Sequence, residues 1–446
     1  MTSFPLSPLD SRYAKKVEKV AEIFSEYGLM HYRTMVEIEW LVALVEKKIA
    51  PRTNQNTIKK WRAVAENFSI KDFEAIKKIE AATNHDVKAV EYFLRKKIEK
   101  KFWPWIHFAC TSEDINNLAY GLMLKDGKML MLEAINAVQK ELKSRAKKWK
   151  PAAMLCRTHG QTATPSTMGK EIAVFWYRLQ QISDTIKNTP VRGKINGATG
   201  TFAAHSVAFP RVDWIGFSKK FVEKSLRLTW NPLTTQIEPH DTQVALLNRL
   251  GVCGSIYIDL CRDIWSYISL GYFGQKTIAG EVGSSTMPHK VNPIDFENAE
   301  GNFKLSRGIG RTLADELPIS RWQRDLTDST LQRNFGLVFG HFFLGLASLQ
   351  KGLGKLELKK NRLAEDLKNA PEVLTEAVQT ALRAHGYNDA YEQLKKFSRG
   401  KILTLEDIQN FIEQATLPKA EKNRLKKLTP QTYVGLAEKL VEKFVE

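Results

Sequence analysis

The chain has 446 residues, of which 43% are hydrophobic and 26% charged, a balance that fits a folded globular protein and excludes a disordered or fibrous one. At this length two or three domains sharing a large interior are expected. Lys and Arg number 67 against 49 Asp and Glu, and the net charge of +18 attracts anionic substrates or polyanions without naming either. The opening residues Met1 to Leu6 lack a basic stretch followed by an apolar one, so no secretory signal is expected and the cytoplasm is. Cys110, Cys156, Cys253 and Cys261 form no CxxC pair, which fits reduced thiols better than a disulfide framework or a zinc site.

In chain order, Asp10-Ser11-Arg12-Tyr13 opens an N-terminal domain of mixed polarity that is expected to end near residue 110. Within it, Thr83-Asn84-His85-Asp86-Val87-Lys88 reads as a capped helix start, with polar side chains at the end of a helix where anions are favoured. Thr111-Ser112-Glu113-Asp114-Ile115-Asn116-Asn117 repeats that form, and capping alone accounts for it. Arg157-Thr158-His159-Gly160-Gln161 precedes Pro165, Ser166 and Thr167, which suit the start of a helix. His159 is therefore expected on a loop or helix start, where an imidazole serves equally as a cap, a surface group or an acid.

Met168, Ile172, Phe175, Leu179, Ile182 and Ile186 alternate spacings of four and three, which predicts an amphipathic helix over 168–186. Val191 to Ala208 is the one glycine-punctuated stretch that reads as a short hairpin. Leu246, Leu250, Cys253, Tyr257, Leu260, Ile264 and Tyr267 restore the helical period. The run from Gly283 to Pro293 then carries two prolines, a glycine, three hydroxyls, His289, Lys290 and Asn292, with almost no apolar side chain. Such a loop holds something polar or is an ordinary solvated turn.

Arg321 to Arg333 contains the donors a phosphate needs, Arg324, Ser329 and Arg333, because an arginine fork matches phosphate oxygens two at a time. Structural Arg–Asp pairs are the alternative, and Trp322 and Leu326 beside them predict partial burial. Asn334 to Gln350 is too short and too polar for a membrane span and reads as a buried helix. Its residues Phe335, Leu337, Val338, Phe339, Phe342, Phe343 and Leu344 are apolar all round, more than one helical layer buries, so self-association of the chain is expected. The fold class is all-α: an N-terminal helical domain over 1–110, a central long-helix bundle over 111–355 and a Lys/Glu-rich helical domain over 356–446.

The segment Gly283-Ser284-Ser285-Thr286-Met287-Pro288-His289-Lys290-Val291-Asn292-Pro293 resembles the signature loop of the fumarase/aspartase superfamily, and its His289-Lys290 pair is similar to the adenylosuccinate lyase branch. Residues 10–13, 83–91, 111–117, 157–161, 321–333 and Thr234-Thr235-Gln236-Ile237-Glu238-Pro239-His240-Asp241 resemble that family in order and spacing, most closely its bacterial purine-pathway form. The likeness weakens over 50–80, 94–106 and the C-terminal domain, and Thr162 stands where the family has proline.

The resemblance implies β-elimination of fumarate from adenylosuccinate, giving AMP, and from succinylaminoimidazole-carboxamide ribotide (SAICAR), giving AICAR. It implies Ser285 as base and His159 as acid, with no cofactor and no metal. Arg12, Tyr13, Asn84, His85 and Asp86 would contact ribose, phosphate and base, and Thr111, Ser112 and Gln236 the succinyl part or the purine. Thr158 would help seat the substrate, Lys290 and Asn292 would hold a carboxylate, and Arg324, Ser329 and Arg333 the phosphate. Glu297 would orient His159, with His289 in support. The family also implies a homotetramer whose sites are each built from three subunits. Argininosuccinate lyase and fumarase fit less well, since neither substrate carries a phosphate. The lysines are spread among acids and helix ends, so neither specific nucleic-acid binding nor membrane attachment is expected.

Overall fold

A computed structural model describes residues 4–276, 287 and 289–445 of the chain. Ser285 lies outside the described residues, as do residues 283, 284, 286 and 288 of the 283–293 loop. Among those described, helix dominates as expected, with nineteen α-helices and six short strands. The longest helices are Glu26–Glu46, Ser112–Trp149, Met168–Asn188, Asp241–Ser269, Ile294–Glu316 and Phe335–Lys355. The chain forms two compact units, one of Met1–Ile135, Ile182–Ile258 and Asn298–Ala347, the other of Asn136–Gln181, Asp259–Glu297 and Ser348–Glu446.

In the first unit, the three-and-four spacing of Leu246, Leu250, Cys253 and Tyr257 places all four on one helix face, and all are buried. Phe335, Val338, Phe339 and Phe342 repeat the pattern and the burial. Tyr257 stacks on Phe303 at 5.0 Å, Phe303 meets Phe342 edge-on at 5.3 Å, and Phe24 stacks on Phe339 at 4.4 Å. Each such pair contributes about 0.5–1.5 kcal/mol beyond the area it buries. Helix Asp241–Ser269 has the length and hydropathy of a membrane span, yet 56% of its most apolar stretch is buried within the protein.

No hairpin forms over 191–208. Arg192–Gly193 pairs in parallel with Thr229–Trp230, and Ala203–Ala208 is helical. The intervening loop folds onto a side chain instead of onto itself: the backbone N–H groups of Asn196 and Gly197 donate to the buried Asp114 carboxylate. Gly200 has φ +75°, and a Cβ there would collide with the carbonyl oxygen of Thr234, so only glycine allows this loop to lie against residues 234–235.

The second unit does hold a hairpin, where none was expected. Ala153–Thr158 pairs antiparallel with Gln161–Thr167, and Thr158 stands opposite Gln161. Its second strand carries polar residues instead of alternating apolar ones, so the period that marks a half-buried strand is missing. Packing from later in the chain holds it, since Leu155 lies in one cluster with Leu367, Ala370 and Val373. Pro165 thus belongs to a strand and not to a helix start; Thr167 caps helix Met168–Asn188 by accepting from the Lys170 N–H at 3.2 Å. A separate core of Leu374, Val378, Leu382, Leu394, Ile408, Ile412 and Leu425 closes the C-terminal region.

Candidate active site

The first unit gathers three arginines into a closed polar ring. Helix Asp86–Arg95 starts at Asp86, its N-cap His85 accepting from the Lys88 N–H through Nδ1, while Asn84 ends the preceding helix at φ 50°. Asp86 Oδ2 receives Arg33 Nη2 at 2.8 Å and Arg333 Nη2 at 3.0 Å. Arg33 is 1% exposed and also donates from Nε to Asn116 Oδ1 at 2.9 Å, in the second turn of helix Ser112–Trp149. One turn earlier on that helix, Glu113 Oε2 accepts from Arg324 Nη1 at 3.1 Å. Arg324 Nη2 lies 3.6 Å from Asp328 Oδ1, on the short helix Thr327–Gln332 that carries Ser329 and ends at Arg333. Arg333 closes the ring, donating to Ser329 Oγ and, at 2.8 Å, to Glu26 Oε1. A cavity of about 180 Å³ lined in part by Asp10, Ser25 and Gly336 adjoins Arg333.

The resemblance put Arg324, Ser329 and Arg333 at a phosphate and Arg12, Tyr13, Asn84, His85 and Asp86 at ribose, phosphate and base; the fold joins Arg333 to Ser329 and Asp86 directly. It pairs the Arg324 and Arg333 guanidiniums with carboxylates. The burial expected of Trp322 and Leu326 does not occur: they are 93% and 68% exposed, and Arg324 is sheltered instead by residues distant in sequence. Burial alone would raise the Asp86 carboxyl, but the Arg33 charge, the Val87 N–H and Arg333 outweigh it and hold its pKa below the ordinary range.

A buried acid cluster backs Arg324. Glu113 is 1% exposed, its Oε1 has no hydrogen-bond partner among the described residues, and its pKa is pushed up to about 7, by burial first and by Asp328, against the pull of Arg324, His240 and Lys194. His240 is fully buried at φ 64°, a strained value for a side-chain-bearing residue. Its Nε2 stands 3.5 Å from Asp328 Oδ2, and Gln332 Nε2 lies 3.4 Å from its Nδ1.

Thr111 and Ser112 sit at the start of helix Ser112–Trp149, and Asp114 fixes that start by accepting from the Thr111 N–H at 2.8 Å and from Lys194 Nζ at 2.9 Å. Gln236 reaches the same corner: its Oε1 accepts from Arg324 Nη1 at 3.4 Å, and its Nε2 donates to the Ala198 carbonyl. Arg12 and Tyr13 stand outside the ring; the Arg12 guanidinium lies 5.6 Å from the Tyr13 ring, whose hydroxyl accepts from Asn298 Nδ2 at 3.4 Å. Motif reading passed over Arg33, Glu26 and Lys194. Arg33 had a signal, since it occupies the apolar stripe Leu29, Arg33, Val36, Trp40, where an unpaired charge is costly.

In the second unit the tip of the hairpin is the two-residue turn His159-Gly160, with φ 53° and +76°. Positive φ at both positions is the turn that matches strand twist, and it presents the His159 ring to solvent. Among the described residues His159 makes no hydrogen bond or ion pair. Two residues before the tip, Arg157 donates to Asp366 at 2.6 Å and to the Tyr272 hydroxyl at 2.9 Å. Thr158 is exposed on the last position of the first strand. His289 and Lys290 are exposed and Asn292 is partly so, with the Lys290 N–H bonded to the Met287 carbonyl. Glu297 does not meet His159 within the chain; its Oε1 accepts from Trp265 Nε1 at 3.2 Å.

The profile of the lyase family matches residues 11–308, and that of the adenylosuccinate lyase C-terminal domain matches residues 320–434. Adenylosuccinate lyases of Haemophilus influenzae, Vibrio cholerae and Escherichia coli are 48%, 47% and 47% identical to the chain, each alignment covering 98% of both sequences. The chain belongs to the adenylosuccinate lyase family. The fold extends further than the family does: a fumarate lyase from Mesorhizobium superposes with a TM-score of 0.80, covering 96% of this chain and 97% of that one at 21% identity. A 3-carboxy-cis,cis-muconate lactonizing enzyme from Pseudomonas putida gives 0.76 over 96% of each chain at the same identity. The adenylosuccinate lyase likeness includes the C-terminal domain, one of the regions where the motif likeness weakens.

Proposed function

We propose that the chain is a carbon–nitrogen lyase of purine nucleotide synthesis, an adenylosuccinate lyase that releases fumarate from adenylosuccinate and from SAICAR. The observation that carries this reading is the 47–48% identity to adenylosuccinate lyases over 98% of the chain. The ring of Arg324, Ser329 and Arg333 supports it, since it offers a phosphate monoester two guanidiniums and a hydroxyl.

The reaction breaks one C–H and one C–N bond across adjacent carbons of the succinyl group. Ser285 is the base that takes the proton next to the carboxylate; the electron pair forms the fumarate double bond, and the nitrogen leaves with a proton from His159. A serine alkoxide and a growing carboxylate charge both require cations and N–H groups in a dry site, a role for Lys290 and Asn292. Thr111, Ser112 and Gln236 seat the succinyl part or the purine, and Arg12, Tyr13, Asn84 and His85 the nucleotide.

The working form is a homotetramer in the cytoplasm whose sites join residues of several copies. Val252, Trp265, Ile294 and Leu305 support this, as large apolar side chains about half exposed on long helices. So does the lack of a hydrogen-bond or ion-pair partner for His159 among the described residues, which leaves Glu297 of another copy to orient the imidazole. Fumarate release from adenylosuccinate and from argininosuccinate, measured for wild type and Ser285→Ala, tests the reading. Release from adenylosuccinate alone, lost in the variant, is expected; near wild-type turnover by Ser285→Ala removes the base assignment.

A further inference from the structure

Glu113 is a buried carboxylate whose ion-pair partner is Arg324, and one of its oxygens has no donor among the described residues. The charged and titratable groups facing it are Arg324 from the segment before helix Thr327–Gln332, Asp328 from that helix, His240 from the segment before helix Asp241–Ser269, Lys194 beyond strand Arg192–Gly193, and the buried Tyr120 on its own helix. Lys194 is engaged by Asp114 at 2.9 Å, and His240 lies nearest Asp328. The charge that keeps Glu113 ionised is thus chiefly that of Arg324.

A phosphate monoester seated on Arg324 draws the guanidinium charge to itself and sets two further negative charges beside Glu113. With 1% exposure the carboxylate gains no hydration in exchange, and a buried anion deprived of its cation lowers its free energy by taking a proton. We propose that Glu113 takes up a proton from solvent when a phosphate monoester binds at Arg324, making the anion site proton-coupled. The proposal rests on the reading of Arg324 as a phosphate seat. Glu113 acts through Arg324 as a positioning residue: ionised, it holds the guanidinium in the ring; protonated, it releases the charge to the ligand. A carboxyl already standing at about 7 needs little further change to be protonated in the complex at slightly alkaline pH.

The experiment is calorimetric titration of the full-length protein with AMP at about pH 8, where a phosphate with its second pKa near 6 is dianionic, in buffers of different ionisation enthalpy. Wild type is expected to take up a large fraction of about one proton per AMP, and its affinity to weaken by up to about tenfold per pH unit above that. Glu113→Gln keeps the shape and loses the titration, so it is expected to bind AMP without proton uptake and with a flat profile from pH 7 to 9. Binding by wild type with no uptake overturns the proposal, and this arm needs no variant to fold. Uptake in Glu113→Gln equal to wild type overturns it as well. Arg324→Met separates the two readings: unchanged AMP affinity in that variant removes the phosphate seat itself.

Discussion

In the first unit Arg33, Arg324 and Arg333 each have a carboxylate within 3.1 Å, whereas in the second His159 stands at a hairpin tip with no hydrogen bond or ion pair among the described residues. The difference follows from what each group does with charge. A guanidinium is always charged, and a sheltered one must be neutralised in the folded chain or its desolvation goes uncompensated. An imidazole that donates a proton has to change state during turnover, and a strong permanent partner in its own chain would bias that state. In the proposed mechanism the anion seat is thus assembled within the first unit, and the proposed proton donor stands on an exposed turn.

Removing the proposed donor has the largest expected effect. His159→Ala should lower kcat by about 10²–10⁴-fold, the contribution of one acid–base group, with little change in KM. A loss below tenfold in fumarate release would break the contrast by making the ring the catalytic element. Arg333→Met should act on the other side of the comparison, raising KM for adenylosuccinate by about 10–100-fold through loss of charge-assisted bonds while kcat stays within a few-fold. An unchanged KM would mean that Arg333 only braces Asp86 and Glu26.

Smaller effects sharpen the contrast. Gly160→Ala meets no neighbouring atom but must adopt φ +76°, at a cost of about 1 kcal/mol, read as a lowered Tm together with reduced kcat as the turn relaxes. If Tm falls and kcat does not, the turn is a structural device alone. Asp86 has a folded pKa below its unfolded value of about 3.9, so its ion pairs stabilise the fold fully above that value and cease to do so as pH falls through the lower, folded one. The gap in urea midpoint between wild type and Asp86→Asn should accordingly be constant near neutrality and close below about pH 4. A gap that persists at pH 3 would assign the stability to shape and not to charge.

Helical periodicity made most of the fold legible. The seams at 168–186, 246–267 and 335–349 fall within helices Met168–Asn188, Asp241–Ser269 and Phe335–Lys355, because a long apolar stripe is a strong local signal. The capped start at Asp86 and the phosphate-type donors at 324, 329 and 333 were legible for a similar reason, as short-range chemistry on one stretch of chain. The hairpin carrying His159 was hidden because its strands are short and polar and are held by Leu367, Ala370 and Val373, some two hundred residues later. The glycine-punctuated stretch 191–208 misled in the opposite direction, since the backbone donors of Asn196 and Gly197 go to Asp114 and not to a neighbouring strand.

By itself the sequence determined the all-helical class and the family and named the candidate site side chains, since each of these depends on residue type and on spacing within one or two turns of helix. Only the tertiary structure decided which charges meet. Arg33 and Asp86 are 53 positions apart, and Glu113 and Arg324 are separated by 211. Ion pairing inside a protein depends on a few ångströms and on the exclusion of water, and long-range packing sets both.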